Sequence, residues 1–267
     1  EKKRFIFDRT QAVRQVQDNP IYAGMMENMD DGVGVVLNKL KELGLDKNTV
    51  VIFTGDNGGV SSGDAFATSC LPYRGGKGRQ WEGGIIAPYY VHVPGLTKAG
   101  TINNTPVIGT DFYPTILDLA GLPLRPKQHL DGVSIVPLFK NKQLKKRDLF
   151  WHYPHYGNQG GEPSSVIRSG NWKLIHYYED GRNELYDLSK DTGEQNDLAA
   201  SQPEVASTMK IKLDKWLQET KANIPLQDKR FDAVKKAQQL KIAKTKQMER
   251  LEKQHENFLS PKFNPKD

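Results

Sequence analysis

The sequence predicts an α/β fold: part of a mostly parallel sheet sandwiched by helices, followed by a small C-terminal subdomain of an antiparallel sheet and a helix. Three observations carry this prediction. Residues 49–53 are all β-branched or aromatic, as in a strand covered on both faces. An amphipathic helix pattern precedes this run. Short strand-like runs separated by turn residues follow residue 146.

The helix pattern begins at Pro20, which suits the first helical position, and Asn19 is placed to cap it. Apolar residues then recur at three- and four-residue spacing until Gly44, a residue typical of helix ends. We expect this helix to pack on the sheet that residues 50–53 join. Farther along, residues 85–93 predict a second strand, and a helix is predicted from Thr110 or Asp111 to residue 120.

The C-terminal part predicts an antiparallel sheet covered by one helix. The strand-like runs are residues 149–153, 166–168, 172–178 and 184–188, and the helix opens at Pro203. Residues beyond 226 are rich in Lys, Gln, Ala and Glu, which favours a helical tail, either solvated or docked on a partner. The predicted division is therefore residues 1–145 for the α/β part, 146–226 for the subdomain and 227–267 for a basic, helical tail.

Composition excludes several classes of protein. A hydrophobic content of 37% and a mean hydropathy of -0.65 fit a chain with a polar periphery, and no apolar run is long enough to span a bilayer. Of the net charge of +6, residues 228–267 contribute 11 Lys/Arg against 6 Asp/Glu, so the remainder is nearly neutral and we expect no nucleic-acid partner. The single cysteine, Cys70, rules out an internal disulfide framework.

A candidate metal site follows the first apolar strand. Asp56 and Asn57 supply hard oxygen ligands of the kind that calcium and magnesium take, and two glycines follow them. Ligands bind beyond the carboxyl ends of parallel strands in open α/β sheets, which favours a site here. On this stretch alone, an ordinary Asp-Asn-Gly turn without a metal is an equally good interpretation.

A glycine-rich segment carries the second candidate. Residues 73–84 hold five glycines and three cations, so the backbone can approach a ligand closely and Lys77 can act as a point charge for a tetrahedral oxyanion. The order is not that of a Walker loop, since no Ser or Thr follows Lys77. A metal-ligating carboxylate together with a lysine that binds an oxyanion indicates a hydrolase of phosphate or sulfate esters. Arg74 and Glu82 are interpreted as braces of the segment, through an ion pair or backbone hydrogen bonds.

Several ordered blocks resemble the formylglycine-dependent sulfatases, over about residues 22–225, in what corresponds to the C-terminal half of such an enzyme. The blocks are Phe53-Thr54-Gly55-Asp56-Asn57-Gly58-Gly59, Leu71-Pro72-Tyr73-Arg74-Gly75-Gly76-Lys77-Gly78, Trp81-Glu82-Gly83-Gly84-Ile85, Thr110-Asp111-Phe112-Tyr113-Pro114-Thr115-Ile116-Leu117-Asp118-Leu119-Ala120-Gly121 and Leu130-Asp131-Gly132-Val133-Ser134. The resemblance implies that Asp56 and Asn57 are calcium ligands, with magnesium less favoured, and that Lys77 contacts the sulfate oxygens. It places the formylglycine nucleophile and two more metal acids upstream of residue 1, in a missing N-terminal half.

Cys70-Leu71-Pro72-Tyr73-Arg74 formally satisfies Cys-x-Pro-x-Arg, the pattern in which sulfatases convert cysteine to formylglycine. Leu71 and Tyr73 depart from the family's block, and the stretch already matches another block of the family. We interpret the match as a coincidence and expect the nucleophile elsewhere.

The candidate substrate site lies around residues 151–161, where histidines and aromatic residues meet a glycine-rich loop that can stack on a sugar. We predict that His152 and His155 bind substrate, with Arg168 as a further candidate for an anionic sugar. The alternative is a buried aromatic knot with hydrogen-bonded histidines. Similar segments in bacterial sulfatases favour a sulfated carbohydrate as substrate.

Two alternatives stay open: a phosphodiesterase or phosphonate hydrolase of the same superfamily, and a non-catalytic relative that binds sulfated glycans. The resemblance implies a periplasmic or secreted enzyme, although no signal peptide is visible in the chain. The sequence leaves the oligomeric state open.

Overall fold

A computed structural model describes residues 3–63 and 65–264. The chain forms two compact units that interleave in sequence: a first unit of Glu1–Met29, Asn57–Ala87 and Arg147–Asp267, and a second of Asp30–Asp56 and Pro88–Lys146. The predicted three-part division stays a prediction, but the middle segment, residues 57–87, belongs with the C-terminal sheet rather than with the residues around it.

The first unit is built on a four-stranded antiparallel sheet. Its strands are β5 (Asp148–Tyr153), β6 (Ser164–Ser169), β7 (Trp172–Tyr177) and β8 (Asn183–Asp187), in the spatial order β5-β6-β7-β8. This confirms the predicted antiparallel subdomain. Each strand pairs with its neighbour in sequence, as expected where the connections are short turns.

Successive side chains along these strands point to opposite faces of the sheet, and both faces are buried. Helix α5 (Pro203–Glu219) covers one face, where Leu213 packs with Ile167, Leu174 and Leu185. The other face carries a second apolar cluster, formed by Trp81 of the glycine-rich segment with Val166, Ile175, Tyr177, Tyr186 and Leu188. The sheet therefore supports the candidate catalytic segment directly.

The start and the tail of the chain meet in this unit. Strands β1 (Phe5–Asp8) and β2 (Gln11–Arg14) form an antiparallel hairpin that the sequence analysis missed. The tail forms α6 (Ala233–Ile242), a π-helical turn (Ala243–Gln247) and α7 (Met248–Phe258). The described tail is helical and docks on the chain's own hairpin, where Leu251 is buried with Phe5, Ala12 and Phe66.

The tail's buried histidine lies among charged groups. Arg14 Nη2 lies 3.2 Å from His255 Nδ1, and because an arginine can only donate, Nδ1 must accept and the imidazole is neutral. His255 Nε2 lies 3.3 Å from Asp18 Oδ2 but is not aligned for a hydrogen bond. Burial lowers the pKa of His255, Arg4 and Arg14 lower it further, and Asp18 and Glu252 oppose the shift.

The second unit corrects the predicted parallel sheet. Strands β3 (Val51–Thr54) and β4 (Tyr89–His92) form its sheet and run antiparallel, as does every strand pair among the described residues. Strand β3 is also only partly buried. A continuous apolar run predicts a strand but does not specify whether its partner runs parallel or antiparallel to it. The sequence therefore could not determine the strand direction in this sheet.

The other elements of the second unit are short. They comprise a 3-10 turn (Gly109–Asp111), α3 (Phe112–Leu119) and α4 (Val136–Phe139). Buried Asp111 organises them, since its carboxylate accepts from Ile108 N and Val133 N, each at 2.9 Å. The predicted helix over residues 110–120 is confirmed. The predicted strand over 85–93 is confirmed only at its end, because Glu82–Ile85 form a helical turn, α2, in the first unit.

Helix α1 (Pro20–Glu42) begins where the capping residues predict. Asn19 Oδ1 accepts from Ile21 N at 3.1 Å and from Tyr22 N at 3.2 Å, and Gly44 adopts a φ of 65° past the helix end. The expected packing on the sheet is wrong, because α1 buries none of its side chains. No helix in the described part of the chain is long and apolar enough to span a bilayer.

The contact between α5 and the sheet yields a stability prediction. Leu213→Ala removes a fully buried side chain and should lower the free energy of unfolding by about 2–5 kcal/mol. Ile211→Ala, on the same helix but 66% exposed, is the matched control and should change it by less than about 0.5 kcal/mol. Urea unfolding followed by circular dichroism measures both; equal losses would contradict the assigned packing.

His255 predicts a pH dependence of tail docking. Because the folded-state pKa of His255 lies below its ordinary value of 6.5, the neutral form stabilises the docked tail above that pH. This stability should be lost as pH falls through the folded pKa, when a protonated Nδ1 would face Arg14. Hydrogen exchange of α7 should accelerate at acid pH beyond the ordinary pH trend. His255→Gln should flatten this dependence, whereas His155→Gln, an exposed residue outside the tail, should not.

Candidate functional site

The backbone of Lys77 is fixed within the first unit. Its N–H donates to Gly59 O at 2.8 Å, two residues after Asn57. Ser61 Oγ, which is fully buried, donates to Gly75 O at 2.8 Å and holds the same pair of segments together. These bonds bring the Lys77 segment against the residues that follow Asn57.

The glycines between these segments are required by close backbone contact. Gly58 N donates to Gly84 O at 3.0 Å, and a Cβ added to Gly58 would lie 1.8 Å from Gly83 O. No side chain fits at that distance, so the two glycine blocks of the sequence pack against each other as a pair.

The Lys77 side chain is half-buried. Among residues 3–63 and 65–264, no carboxylate lies within ion-pair distance of its ammonium group. No carboxylate of the described part of the chain therefore neutralises its positive charge, and a free charge is what an oxyanion-binding lysine requires.

Asp56 and Asn57 are adjacent in sequence but belong to different units. Asp56 follows β3 in the second unit and is exposed, whereas Asn57 is half-buried in the first unit. A carboxylate and an amide oxygen are ligand types that calcium takes, and calcium binding by these two residues stays a prediction. Within the described residues, no three His, Cys, Asp or Glu side chains converge as a complete metal site.

A buried ion cluster ties the glycine-rich segment to the sheet. Lys173 on β7 is fully buried, with Nζ 2.9 Å from Glu82 Oε1 and 2.8 Å from Glu194 Oε1. Glu82 N also donates to Glu194 Oε2 at 2.5 Å. Burial raises the pKa of the Glu194 carboxyl although Lys173 lies beside it. We call Glu82, Arg168, Lys173 and Glu194 the ion cluster.

Trp81 continues this anchorage through Glu184. The indole Nε1 donates to Glu184 Oε2 at 3.3 Å, and the hydroxyls of Tyr177 and Tyr186 donate to the same oxygen at 3.3 Å and 2.9 Å. Arg9 pairs with the other carboxylate oxygen. Glu184 thus has hydrogen-bond partners throughout, as a buried carboxylate requires.

Arg74 braces the segment from the hairpin side. Its guanidinium lies 3.8 Å from the centroid of the Trp81 ring and pairs with both oxygens of Asp8, at 2.9 Å and 2.8 Å. It also donates to Glu194 O at 3.0 Å. The predicted bracing roles of Arg74 and Glu82 are confirmed.

The predicted substrate residues lie in three different surroundings. His152 has both ring nitrogens engaged, at 2.7 Å from Ser165 Oγ and 3.1 Å from Asn223 O. His155 is exposed, with its ring centroid 4.1 Å from that of Tyr153. Arg168 donates to Glu82 Oε2 at 3.0 Å, within the ion cluster. Substrate binding by all three stays a prediction, but these contacts favour structural roles for His152 and Arg168.

The glycine-rich loop at residues 157–161 reaches the Lys77 segment. A Cβ added to Gly161 would lie 2.0 Å from Gly78 O, so the two backbones touch. Gln159 O accepts from Arg79 Nε at 2.9 Å and from Ser62 Oγ at 2.8 Å. The predicted sugar loop and the predicted catalytic lysine are therefore neighbours in the first unit.

Cys70 lacks the properties of a nucleophile. The thiol is half-buried, its Sγ lies 3.5 Å from Gly59 O, and burial raises its pKa. A raised pKa disfavours the reactive thiolate. This geometry agrees with the interpretation of the Cys-x-Pro-x-Arg match as a coincidence.

Sequence reasoning missed the roles of Lys173 and Glu194. One signal was present: Lys173 has the same strand parity as Ile175 and Tyr177, so it points to a buried face of the predicted sheet. A lysine on such a face needs a carboxylate partner. Glu194 lies in a turn, and no periodicity marks it.

Comparison with known proteins gives a consistent family. The family described as N-sulphoglucosamine sulphohydrolase, C-terminal, matches residues 77–223, and the family described as sulfatase matches residues 2–122. A sulfatase of Formosa agariphila is 37% identical over 220 residues, which cover 73% of this chain and 39% of that protein. The chain thus spans about two fifths of the length of such curated relatives.

Solved structures agree on the fold. Ps i-CgsB in complex with k-i-k-neocarrahexaose has a TM-score of 0.66 and 26% identity, covering 92% of this chain and 51% of its own. A structure in complex with its substrate D-glucosamine-2-N,6-O-disulfate has a TM-score of 0.59 and 25% identity, covering 73% of this chain and 39% of its own. The match to Ps i-CgsB covers 92% of this chain, which is more residues than 1–226 contain. The matched region therefore includes part of the tail.

The ion cluster predicts a large loss of stability on removing one partner. Lys173→Ala leaves buried Glu194 without its cation and leaves Glu82 paired with Arg168 alone, and it should lower the free energy of unfolding by about 3–5 kcal/mol. Lys215→Ala breaks an exposed pair with Glu219 and should cost less than about 1 kcal/mol. Denaturant unfolding of both variants measures the difference; a Lys173→Ala loss as small as that of the control would refute the cluster's role.

Proposed function

Since this chain belongs to the sulfatase family and carries its C-terminal region, we propose that the full-length protein hydrolyses sulfate esters of a carbohydrate and that Lys77 binds the sulfate oxygens. The supporting observation is the position of Lys77. Its backbone is bonded to Gly59, and the following Gly78 contacts the loop at residues 157–161. Within the first unit, the lysine thus lies between the Asn57 segment and the predicted sugar loop.

The proposed role of Lys77 is electrostatic stabilisation of the transition state. Cleavage of a sulfate monoester builds charge on the sulfuryl and leaving oxygens, and a fixed cation stabilises that charge in the transition state. The ammonium group has no carboxylate partner among the described residues, and its backbone is held by hydrogen bonds. Little reorganisation is then needed when the sulfate arrives.

A calcium ion belongs to the proposal. Asp56 and Asn57 would hold it with oxygen ligands from the rest of the full-length protein, and when bound it would supply further positive charge at the sulfate oxygens. The formylglycine nucleophile is expected in the part of the longer relatives that this chain does not match. A periplasmic or secreted location rests on the family resemblance alone.

A sulfated carbohydrate is the proposed substrate class. The two structural neighbours described above are complexes with an oligosaccharide and with a sulfated glucosamine. The exposed Tyr156 and His155, which directly precede the glycine-rich loop, are side chains that can stack on a sugar ring. The resemblance to Ps i-CgsB includes part of the tail, which favours an oligosaccharide over a small aryl sulfate as the natural substrate.

Lys77→Ala in the full-length protein tests the assignment. Loss of one charge-stabilising group should lower kcat/KM for sulfate release from an aryl sulfate by about 100- to 1000-fold. Lys190→Ala, a lysine that is 83% exposed, is the control and should leave the rate unchanged. Sulfate release is measured by ion chromatography.

Three outcomes would contradict parts of the proposal. Full activity of Lys77→Ala would reject the role of this lysine. A wild-type preference for phosphate diesters over sulfate esters would favour the phosphodiesterase or phosphonate hydrolase alternative. Binding of sulfated glycans without any sulfate release would favour the non-catalytic alternative.

A further inference from the structure

A cleft of about 310 Å³ lies between tail helix α6 and the glycine-rich loop. We call it the tail cleft. Its walls include Gln11 of β2, Tyr156, Gly160 and Gly161 of the loop, and Lys236 and Gln239 of α6. All of these residues belong to the first unit. The volume is at the lower end of the range for small-molecule sites and suits a single sugar ring.

The tail cleft borders the proposed catalytic segment. Gly161, on its wall, touches Gly78 O, and Gly78 directly follows Lys77. Thr10 Oγ1 donates to Gly160 O at 2.8 Å and fixes the loop to the hairpin. A ligand in the cleft would therefore contact the loop whose backbone touches the residue after Lys77.

The polar groups of the cleft suit a neutral ligand. Tyr156 is 58% exposed, and its hydroxyl donates to Glu179 at 2.7 Å. Lys236 pairs with the same carboxylate, so its charge is neutralised and the tyrosine ring is held in place. The amides of Gln11 and Gln239 make no side-chain hydrogen bond to other described residues. Amides and an aromatic face, without net charge, are typical of binding to sugar hydroxyls and the apolar face of a sugar ring.

The part of the tail after α6 is anchored on the start of the chain. Arg4 Nη1 lies 2.9 Å from Glu252 Oε2, and Leu251 of α7 is buried against Phe5 and Ala12 of the hairpin. Ala12 N donates to Gln247 Oε1 at 3.3 Å beside the π-helical turn. These contacts hold α7 and the π-helical turn on the hairpin, and α6 runs directly into that turn.

We propose that α6 completes a carbohydrate subsite in which the tail cleft takes an uncharged sugar ring next to the sulfated residue of a glycan chain. This inference rests on the proposed function and extends it: the tail recognises the chain beyond the residue whose sulfate is released. Short substrates would not reach the tail cleft.

Gln239→Ala and its neighbour Gln238→Ala make a matched pair, since both are exposed glutamines of α6 and only Gln239 lines the cleft. In the full-length protein, Gln239→Ala should raise the KM and Kd for a hexasaccharide of a partly sulfated galactan about fivefold, as expected for one lost hydrogen bond. Tyr156→Ala should raise them about tenfold or more. Gln238→Ala should change neither.

Hydrolysis of 4-methylumbelliferyl sulfate separates this inference from the proposed function. Gln239→Ala and Gln238→Ala should both keep the wild-type rate on this small substrate. Normal aryl sulfate hydrolysis, with hexasaccharide KM and Kd unchanged in Gln239→Ala and Tyr156→Ala, would overturn the inference and leave the proposed function standing. Failure of calorimetry to detect hexasaccharide binding to the wild type would also overturn it. A selective loss of hexasaccharide binding in a protein without sulfatase activity would support the subsite and reject the proposed function.

Discussion

The ion pairs that Lys173 makes with Glu82 and Glu194 are the contact on which the arrangement of the first unit depends. Lys173 lies on β7, in the middle of the antiparallel sheet, and Glu82 closes the glycine-rich segment that carries Lys77. A buried charge without its partner is strongly destabilising. Moving the segment away from the sheet would separate Glu82 from Lys173 and is therefore unfavourable. The same sheet face holds Trp81 among apolar side chains. Ion pairing and apolar burial therefore fix the same ten or so residues, and neither depends on a ligand.

Two further layers of contact act on this segment. On one side its backbone is bonded to residues 58–61, which leaves no room for side chains at the facing glycines. On the other, Arg74 connects Trp81 to Asp8 of the hairpin, and the hairpin in turn carries the tail. The beginning, middle and end of the chain thus meet around one loop. Such rigidity matters for a cation that stabilises a transition state, because a misplaced charge loses much of its effect.

The sequence predicted elements better than it predicted their partners. The capping of α1 by Asn19, the four C-terminal strands, α5 and the helical tail followed from spacing and turn residues, which act over a few residues. The parallel sheet and the packing of α1 were wrong, because both concern which distant surface an apolar pattern meets. The candidate site shows the same limit. Lys77 and Gly161 were singled out separately, but no sequence pattern predicted that the Lys77 segment and the loop touch.

What the sequence by itself determined is the inventory of local structure and chemistry: the glycine blocks, the lysine, the hard oxygen ligands at Asp56 and Asn57, and the family to which their order points. Only the tertiary structure showed that Arg168 donates a hydrogen bond to Glu82 and that the His152 ring is hydrogen-bonded to Ser165 of the neighbouring strand. It also showed that the tail packs on the hairpin. The physical reason is that periodicity and turn chemistry are properties of neighbouring residues. Ion pairs and buried contacts such as that of Lys173 with Glu194 instead join residues that only the folded chain brings together.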